Sequence, residues 1–309
     1  MMKIPELKKT VQGILLENES MSKHTSYGIG GKVMAYITPH DVKDLIEIIK
    51  IINEKNLKFY FVGSGSNLLV NDKKINAIII TPAKALKSLT IKKNTINAES
   101  GVMLGRLVKE AIKHNLTGLE SLVGVPGTLG GALMMNAGAW GSEISNYLLS
   151  VNVINTSGKI KTLYPEDIEF KYRHSSFKSS EFILSAKFEL SKATKLDIEK
   201  KKLIASKGRI RSQPLKFRSA GSVFKNPHNK LAAGLLIDLA GLKGTRLGGA
   251  EISTHHANFF INHGNAKAID IAKLIRLSRK IVYEKFGIML ELEIKTIGFK
   301  GSDLYPYAT

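Results

Sequence analysis

Two glycine-rich stretches give this sequence its clearest means of holding an anion. The longer, Gly118 to Gly141, reads GLESLVGVPGTLGGALMMNAGAWG, with seven glycines in 24 residues and no Lys or Arg. Glycine accepts positive φ and lets the backbone approach a bound group closely, so successive N–H groups can serve phosphate oxygens. Leu119, Leu122, Val123, Val125, Leu129, Leu133, Met134 and Met135 within it predict a packed loop and not a flexible linker. The shorter stretch, Gly63-Ser64-Gly65-Ser66-Asn67, follows the apolar run from Lys58 to Val62. It starts like a dinucleotide fingerprint, but Leu68 takes the third glycine position and no amphipathic helix follows. Each stretch has two open readings: a cradle for a polyphosphate cofactor, or a tight structural turn.

Three polar residues in apolar settings are the other candidates for chemistry. Arg173 ends the segment Ile168 to Arg173, directly after Tyr172. Ser222 lies in Ser219-Ala220-Gly221-Ser222-Val223-Phe224-Lys225-Asn226-Pro227, where small residues allow close approach. Glu293 belongs to a final strand in which Leu290, Leu292, Ile294 and Thr296 share one face and Glu291, Glu293 and Lys295 the other. Spacing alone does not assemble these three into a site, and surface or capping roles suit each of them. The pair His255-His256 cannot ligate one metal from a strand, since neighbours point to opposite faces. A hydrogen-bonding role is expected for His256. No Walker loop, nucleophile elbow or His-Glu-x-x-His is present.

The elements that must carry these residues follow from periodicity. Thr38-Pro39-His40-Asp41 predicts a helix start with proline at the first helical position, and Val42, Leu45, Ile46, Ile49 and Ile52 follow at helical spacing. Lys58 to Val62 and Ala77 to Ile80 predict strands, and alternation near Leu89 to Ala98 a third. A helix over Leu104 to Ile112 leads into the long glycine stretch; strands return at Val151 to Asn155 and Phe182 to Leu190. A Lys-rich helix from Ser191 to about Lys207 marks a domain junction near residue 200. Beyond it the sequence predicts helices at 231–240 and 266–286, with strands at 258–262 and 290–297. The sum is α+β in two parts.

With 309 residues, 43% hydrophobic and 23% charged, the chain has ordinary globular composition and room for two cores. No run reaches the ~18 apolar residues of a membrane helix, and the N-terminus lacks secretory-signal features. The absence of cysteine excludes disulfides, thiolate metal sites and a Cys nucleophile. A net charge of +20 suits anionic partners, but no aromatic interleaving or nucleic-acid-binding motif accompanies it.

Taken in order, the segments resemble one family. His24-Thr25-Ser26-Tyr27-Gly28-Ile29-Gly30-Gly31 precedes the Gly63–Asn67 loop, Val125-Pro126-Gly127-Thr128-Leu129-Gly130-Gly131-Ala132 and Asn136-Ala137-Gly138. Tyr172-Arg173, Gln213-Pro214, Gly221 to Pro227, Ser253 with His256-Ala257-Asn258-Phe259, and Glu293 follow. From about residue 20 to residue 298 this pattern resembles the UDP-N-acetylenolpyruvoylglucosamine reductases, flavoenzymes that complete UDP-N-acetylmuramate for peptidoglycan.

The resemblance implies an FAD-binding domain of the vanillyl-alcohol-oxidase (PCMH) type in two subdomains, plus a C-terminal α+β substrate domain. Its boundaries would be a lead-in at 1–22, the FAD domain at 23–195 (subdomains about 23–83 and 84–195) and the substrate domain at 205–300. Non-covalent FAD would rest its pyrophosphate on Gly63, Ser64, Gly65, Ser66, Asn67 and Leu68. Further contacts would come from Gly124, Pro126, Gly127, Thr128, Gly130, Gly131 and Ala132, and from Asn136, Ala137 and Gly138. NADPH would reduce the flavin and leave, and the enolpyruvyl sugar nucleotide would then take hydride from flavin N5 at its vinyl terminus. By the same resemblance Ser222 gives the resulting enolate its proton, while Arg173 and Glu293 polarise the carboxylate. Tyr172, Lys225 and Asn226 would bind diphosphate and sugar. The expected protein is a cytoplasmic monomer with no metal, no specific nucleic-acid partner and no membrane insertion.

The short stretch between Arg173 and Ser222 fits the compact form of the family, without a tyrosine-bearing insertion. Gly28 stands where relatives often carry a basic residue, Arg218 where proline is common, and Ser64 where glycine is frequent. These departures bear on FAD affinity and loop mobility and leave the three catalytic positions intact. Two rivals remain at this level. Another flavin oxidoreductase of the same fold often attaches flavin through His or Cys, and neither glycine loop contains one. A non-catalytic nucleotide-sugar binder would not need Arg173, Ser222 and Glu293 together.

Overall fold

The computed structural model describes residues 4–178, 180–227 and 231–307. Residues 1–3 of the expected lead-in and 308–309 of the C-terminal tail lie outside the described residues. The chain divides into two compact units that interleave along the sequence: Met1–Asn18, Met34–Ser64 and Asn76–Arg209, then Glu19–Val33, Gly65–Ile75 and Ile210–Thr309. The division falls inside the short glycine stretch, between Ser64 and Gly65.

The first unit holds two large sheets, besides small two-stranded ones. One has four strands in the order Ile14–Glu17, Val33–Thr38, Ile75–Ile80, Phe59–Phe61, the last two parallel. Helix Val42–Glu54 turns Leu45, Ile48, Ile49 and Ile52 into the core, each worth about 1.5–3 kcal/mol when fully buried. Its cap is Asp41, whose Oδ1 accepts from Asp44 N at 2.9 Å. Pro39 therefore precedes the cap and does not occupy the first helical position, a correction to the sequence reading. The other sheet has five antiparallel strands, in the order Ile160–Leu163, Leu148–Ile154, Phe182–Glu189, Thr95–Glu99, Leu89–Lys92. The expected single strand near Leu89 to Ala98 is thus a hairpin, turned at Lys93 with φ 55°. Helix Leu104–Lys113 buries Leu104, Leu107, Val108 and Ala111 in the same core as Leu129 and Leu133.

The second unit is built on helix Ala268–Phe286, whose Ile271, Ala272, Leu274, Ile275 and Val282 are buried. Gly287 ends it in the left-handed conformation at φ 64°, its N–H donating to Tyr283 O at 2.8 Å. A three-stranded antiparallel sheet (Arg246–Leu247, Ala250–Ile252, Phe260–Asn262) and helix Ala233–Leu239 pack into the same core. Leu68–Val70 runs parallel to Lys295–Ile297. The expected strand at 290–297 proves to be two pairings: Phe224 bridges Leu292 in antiparallel fashion before Lys295–Ile297 joins Leu68–Val70. Among the described residues no helix is long and apolar enough to cross a membrane.

Candidate active site

In the first unit the short glycine stretch begins where Gly63 O accepts from Thr81 Oγ1 at 3.2 Å. A Cβ at Gly63 would run into Thr128 Oγ1, which would have to turn away and give up its cap. Among the described residues no acceptor takes the N–H of Gly63, Ser64 or Gly65, and Ser64 Oγ is buried without a hydrogen-bond partner. Consecutive uncommitted donors of this kind suit phosphate oxygens.

The long stretch uses its donors differently. Thr128 caps the short helix Leu129–Met134, its Oγ1 accepting from Gly131 N at 3.4 Å. Leu129 N donates to Val102 O at 2.8 Å and Gly130 N to Ser100 O at 2.9 Å. These first-turn N–H groups are therefore committed within the protein. Glycine at 130 serves proximity: an added Cβ would stand 3.1 Å from Ser100 Cβ. Gly124 and Gly127, on either side of Val125-Pro126, have φ of 73° and 133°. Ala137 N returns to Ala132 O at 2.8 Å, and Gly138 pairs with Glu143.

Asn136 is fully buried and joins this stretch to the arginine candidate. Its Nδ2 donates to Glu143 Oε2 at 2.6 Å and to Lys171 O at 3.2 Å, while Oδ1 has no hydrogen-bond partner. Lys171 precedes the turn Tyr172-Arg173 of a small hairpin (Phe170–Lys171 with His174–Ser175), and Ser175 Oγ donates to Met134 O at 2.8 Å. Arg173 has φ 53°, an uncommon conformation for a non-glycine residue, and its guanidinium lies 5.0 Å from the Tyr172 ring centroid. A residue held there by its surroundings is often functional.

A cavity of about 170 Å³ also lies in this unit, lined by Gly105, Val108, Lys109, Ile112, Val123, Gly124 and Lys202. It shares only Gly124 with the residues expected to touch FAD.

In the second unit Ser222 and Glu293 sit on paired segments. Glu293 N donates to Val223 O at 2.8 Å and Lys225 N to Glu291 O at 2.9 Å. Ser222 also bridges Phe259. Asn258, which the sequence offered only as part of a motif, fixes this arrangement: its Oδ1 accepts from Phe224 N at 2.9 Å and its Nδ2 donates to Phe224 O at 2.8 Å. Val223 N donates to Asn258 O at 2.8 Å. Among the described residues Ser222 Oγ has no hydrogen-bond partner. Asn67 ties the glycine loop to the same place, donating from Nδ2 to Glu293 O at 3.1 Å and accepting at its own carbonyl from Lys295 N at 3.0 Å. Leu68 opposes Lys295.

Lys225 Nζ is 3.7 Å from Glu291 Oε2. Desolvation lowers the Lys295 pKa, with a further push from the Lys225 ammonium. Asn226 Oδ1 accepts from Ala233 N at 3.1 Å, which anchors helix Ala233–Leu239. His256 has the expected hydrogen-bonding role: its Nδ1 accepts from Asn258 N at 3.1 Å. Two departures noted in the sequence lie together. Gly28 (φ 69°) sits under the Arg218 guanidinium, where a Cβ would collide with it, and Arg218 Nε donates to Ser26 O at 3.4 Å.

Residues 213–297 match the family model for the UDP-N-acetylenolpyruvoylglucosamine reductase C-terminal domain, and residues 33–164 match an FAD binding domain. A UDP-N-acetylenolpyruvoylglucosamine reductase of Carboxydothermus hydrogenoformans is 40% identical over 294 residues, covering 95% of this chain and 97% of that protein. The chain belongs to the UDP-N-acetylenolpyruvoylglucosamine reductase family. Another relative of that name, from Caldicellulosiruptor bescii, is 45% identical over 286 residues, with 92% of this chain and 90% of the relative covered. The crystal structure of the reductase from Thermus caldophilus superposes with a TM-score of 0.78 at 31% identity, covering 93% of this chain and 99% of that one.

The α+β fold with an FAD-binding domain and the family's C-terminal domain is therefore as the resemblance implied. The protein is an FAD-dependent oxidoreductase. Its residues fit the cofactor: uncommitted N–H donors at Gly63 to Gly65 and the buried, unpartnered Ser64 Oγ suit a diphosphate.

Proposed function

We propose that this enzyme reduces UDP-N-acetylglucosamine enolpyruvate to UDP-N-acetylmuramate with NADPH. The FAD-binding region is 23–195 and the substrate-binding region 205–300. When bound, FAD would supply two-electron hydride chemistry between the nicotinamide and the vinyl group of the substrate.

The chain's own residues then manage the charge. Hydride addition at the vinyl terminus leaves an enolate beside the carboxylate, so the site must stabilise negative charge and deliver one proton. Arg173 pairs with the carboxylate, and Glu293 holds the enolic form. Ser222 Oγ protonates the carbon bearing the carboxylate. Tyr172, Lys225 and Asn226 bind the diphosphate and sugar. The glycine loop at 63–68 takes the FAD pyrophosphate, with 124–132 and 136–138 completing the cofactor contacts.

The single observation that most supports this reading is the Glu293 N–H bond to Val223 O. It sets the proposed proton donor and the proposed carboxylate on adjoining backbone. Asn67 links Glu293 to the glycine loop. Turnover in D2O tests it: product should carry one deuterium on the carbon bearing the carboxylate. Product with no deuterium there contradicts a protein-borne, exchangeable proton donor.

A further inference from the structure

The family match ends at residue 297, yet the chain continues into a one-turn helix, Gly301–Leu304, with Leu304 buried. This segment closes over Arg279, which is 0% exposed in the middle of helix Ala268–Phe286. Among the described residues Arg279 makes no ion pair within 4 Å. Its Nη1 donates to Leu304 O at 2.9 Å and its Nε to Leu290 O at 2.9 Å. Its Cζ lies 3.7 Å from the Tyr305 ring centroid and 5.9 Å from that of Phe224. Burial weighs against the charged form, and Tyr305 and Glu291 act to keep it.

A buried guanidinium without a carboxylate is costly unless carbonyls and π-faces replace its water. An apolar side chain would fill a core helix position more simply. Two carbonyls and two ring faces meet the guanidinium here, although Nη2 is buried without a hydrogen-bond partner. Leu290 is three residues before Glu293, and Phe224 is two after Ser222. Glu293 N to Val223 O and Lys225 N to Glu291 O already join those segments. Arg279 holds both from behind, and Tyr305 covers its outer face.

We propose that Arg279, capped by the C-terminal strap through Tyr305, is a positioning residue that sets the alignment of Ser222 against Glu293. This rests on the roles given to those two residues above. Arg279 acts through the backbone at Leu290 and the ring of Phe224. The strap beyond residue 300 is thereby part of the machinery of the substrate half-reaction, although it lies past the family match.

The test compares FAD-loaded wild type, Tyr305→Phe, Tyr305→Ala and a chain ending at Lys300 in anaerobic stopped flow, following flavin absorbance. Flavin content and the rate of bleaching by NADPH should stay within twofold of wild type in all three variants. Reoxidation by the enolpyruvyl substrate should slow roughly 10- to 100-fold in Tyr305→Ala and in the shortened chain, as expected for a displaced catalytic group. The loss should fall on the limiting rate and not on half-saturation. Tyr305→Phe keeps the ring and should restore the rate. Wild-type reoxidation in Tyr305→Ala, or equal slowing of both half-reactions, overturns the proposal. If the shortened chain does not fold, the two Tyr305 variants decide. A wild type that the substrate cannot reoxidise overturns the catalytic reading as well, whereas normal turnover with indifferent Tyr305 variants overturns only this inference.

Discussion

A serine hydroxyl is a poor acid in water, so Ser222 can protonate carbon only where the acceptor is a strong base shielded from solvent. Ser222→Ala should leave NADPH-dependent bleaching of the flavin nearly intact and slow reoxidation by substrate about 10²–10⁴-fold. Equal losses in both half-reactions, measured separately, would count against the assignment. Gly65 tests the glycine loop in a different way, because its φ is 67° and an added Cβ would strike the His24 carbonyl. Gly65→Ala should cost roughly 1 kcal/mol or more, lowering Tm by about 2–4 °C per kcal/mol. An unchanged melting curve would show that the loop relaxes without cost.

His256 adds a pH-dependence. Burial is the main cause that lowers its pKa, with smaller contributions from His255 and Lys243, so the folded protein favours the neutral ring whose Nδ1 accepts from Asn258 N. The unfolded chain binds the proton more readily. Stability from this group is therefore full above about pH 6.5, the ordinary histidine value, and is lost as pH falls through the lower folded value. Denaturant midpoints should drop on acidification across that window, and less steeply in His256→Gln. Parallel slopes for the two proteins would remove His256 from the account.

Among the elements, the segment Ser222 to Lys225 depends on one side chain outside it. Asn258→Ala removes both amide bonds to Phe224 and leaves a buried N–H and C=O without partners. The expected loss is about 2–4 kcal/mol, read from urea unfolding, with substrate-driven reoxidation slowed more than NADPH-driven bleaching. A loss below about 0.5 kcal/mol would show that the pairing with Glu291 to Glu293 holds the segment by itself. Such dependence on partners explains what the sequence could and could not tell. Helices Leu104–Lys113 and Ala268–Phe286 were legible because a buried face repeats at helical spacing. The strand read at 290–297 was legible as extended chain, with the buried and exposed ends of the alternation correct as far as Lys295. Its change of partner after Ile294 was not: Leu290 and Ile294 are buried on one side of the alternation, whereas in the second pairing Ile297, on the other side, is buried. Asn136 was legible as a member of a glycine-rich motif. That its amide also fastens the Arg173 hairpin depends on a contact 35 residues away in sequence, which periodicity cannot register.

At the scale of the whole molecule, cofactor and fold stabilise one another. FAD binds the folded chain, so at a free concentration near 100 times its Kd it should add about 2.7 kcal/mol to stability. A Tm that does not rise with FAD would argue against a preformed site. The net charge of +20 suits a polyanionic cofactor, reductant and substrate without requiring so large a value. The proposed reaction is a two-stage reduction through one flavin. It is tested most directly by visible absorption of the FAD-loaded protein, recorded anaerobically with NADPH and then with UDP-N-acetylglucosamine enolpyruvate. Bleaching by NADPH, followed by return of the oxidised spectrum on adding the enolpyruvyl substrate, is the expected result. Bleaching that only oxygen reverses would keep the flavin and contradict the substrate, and protein that holds no FAD would contradict the account as a whole.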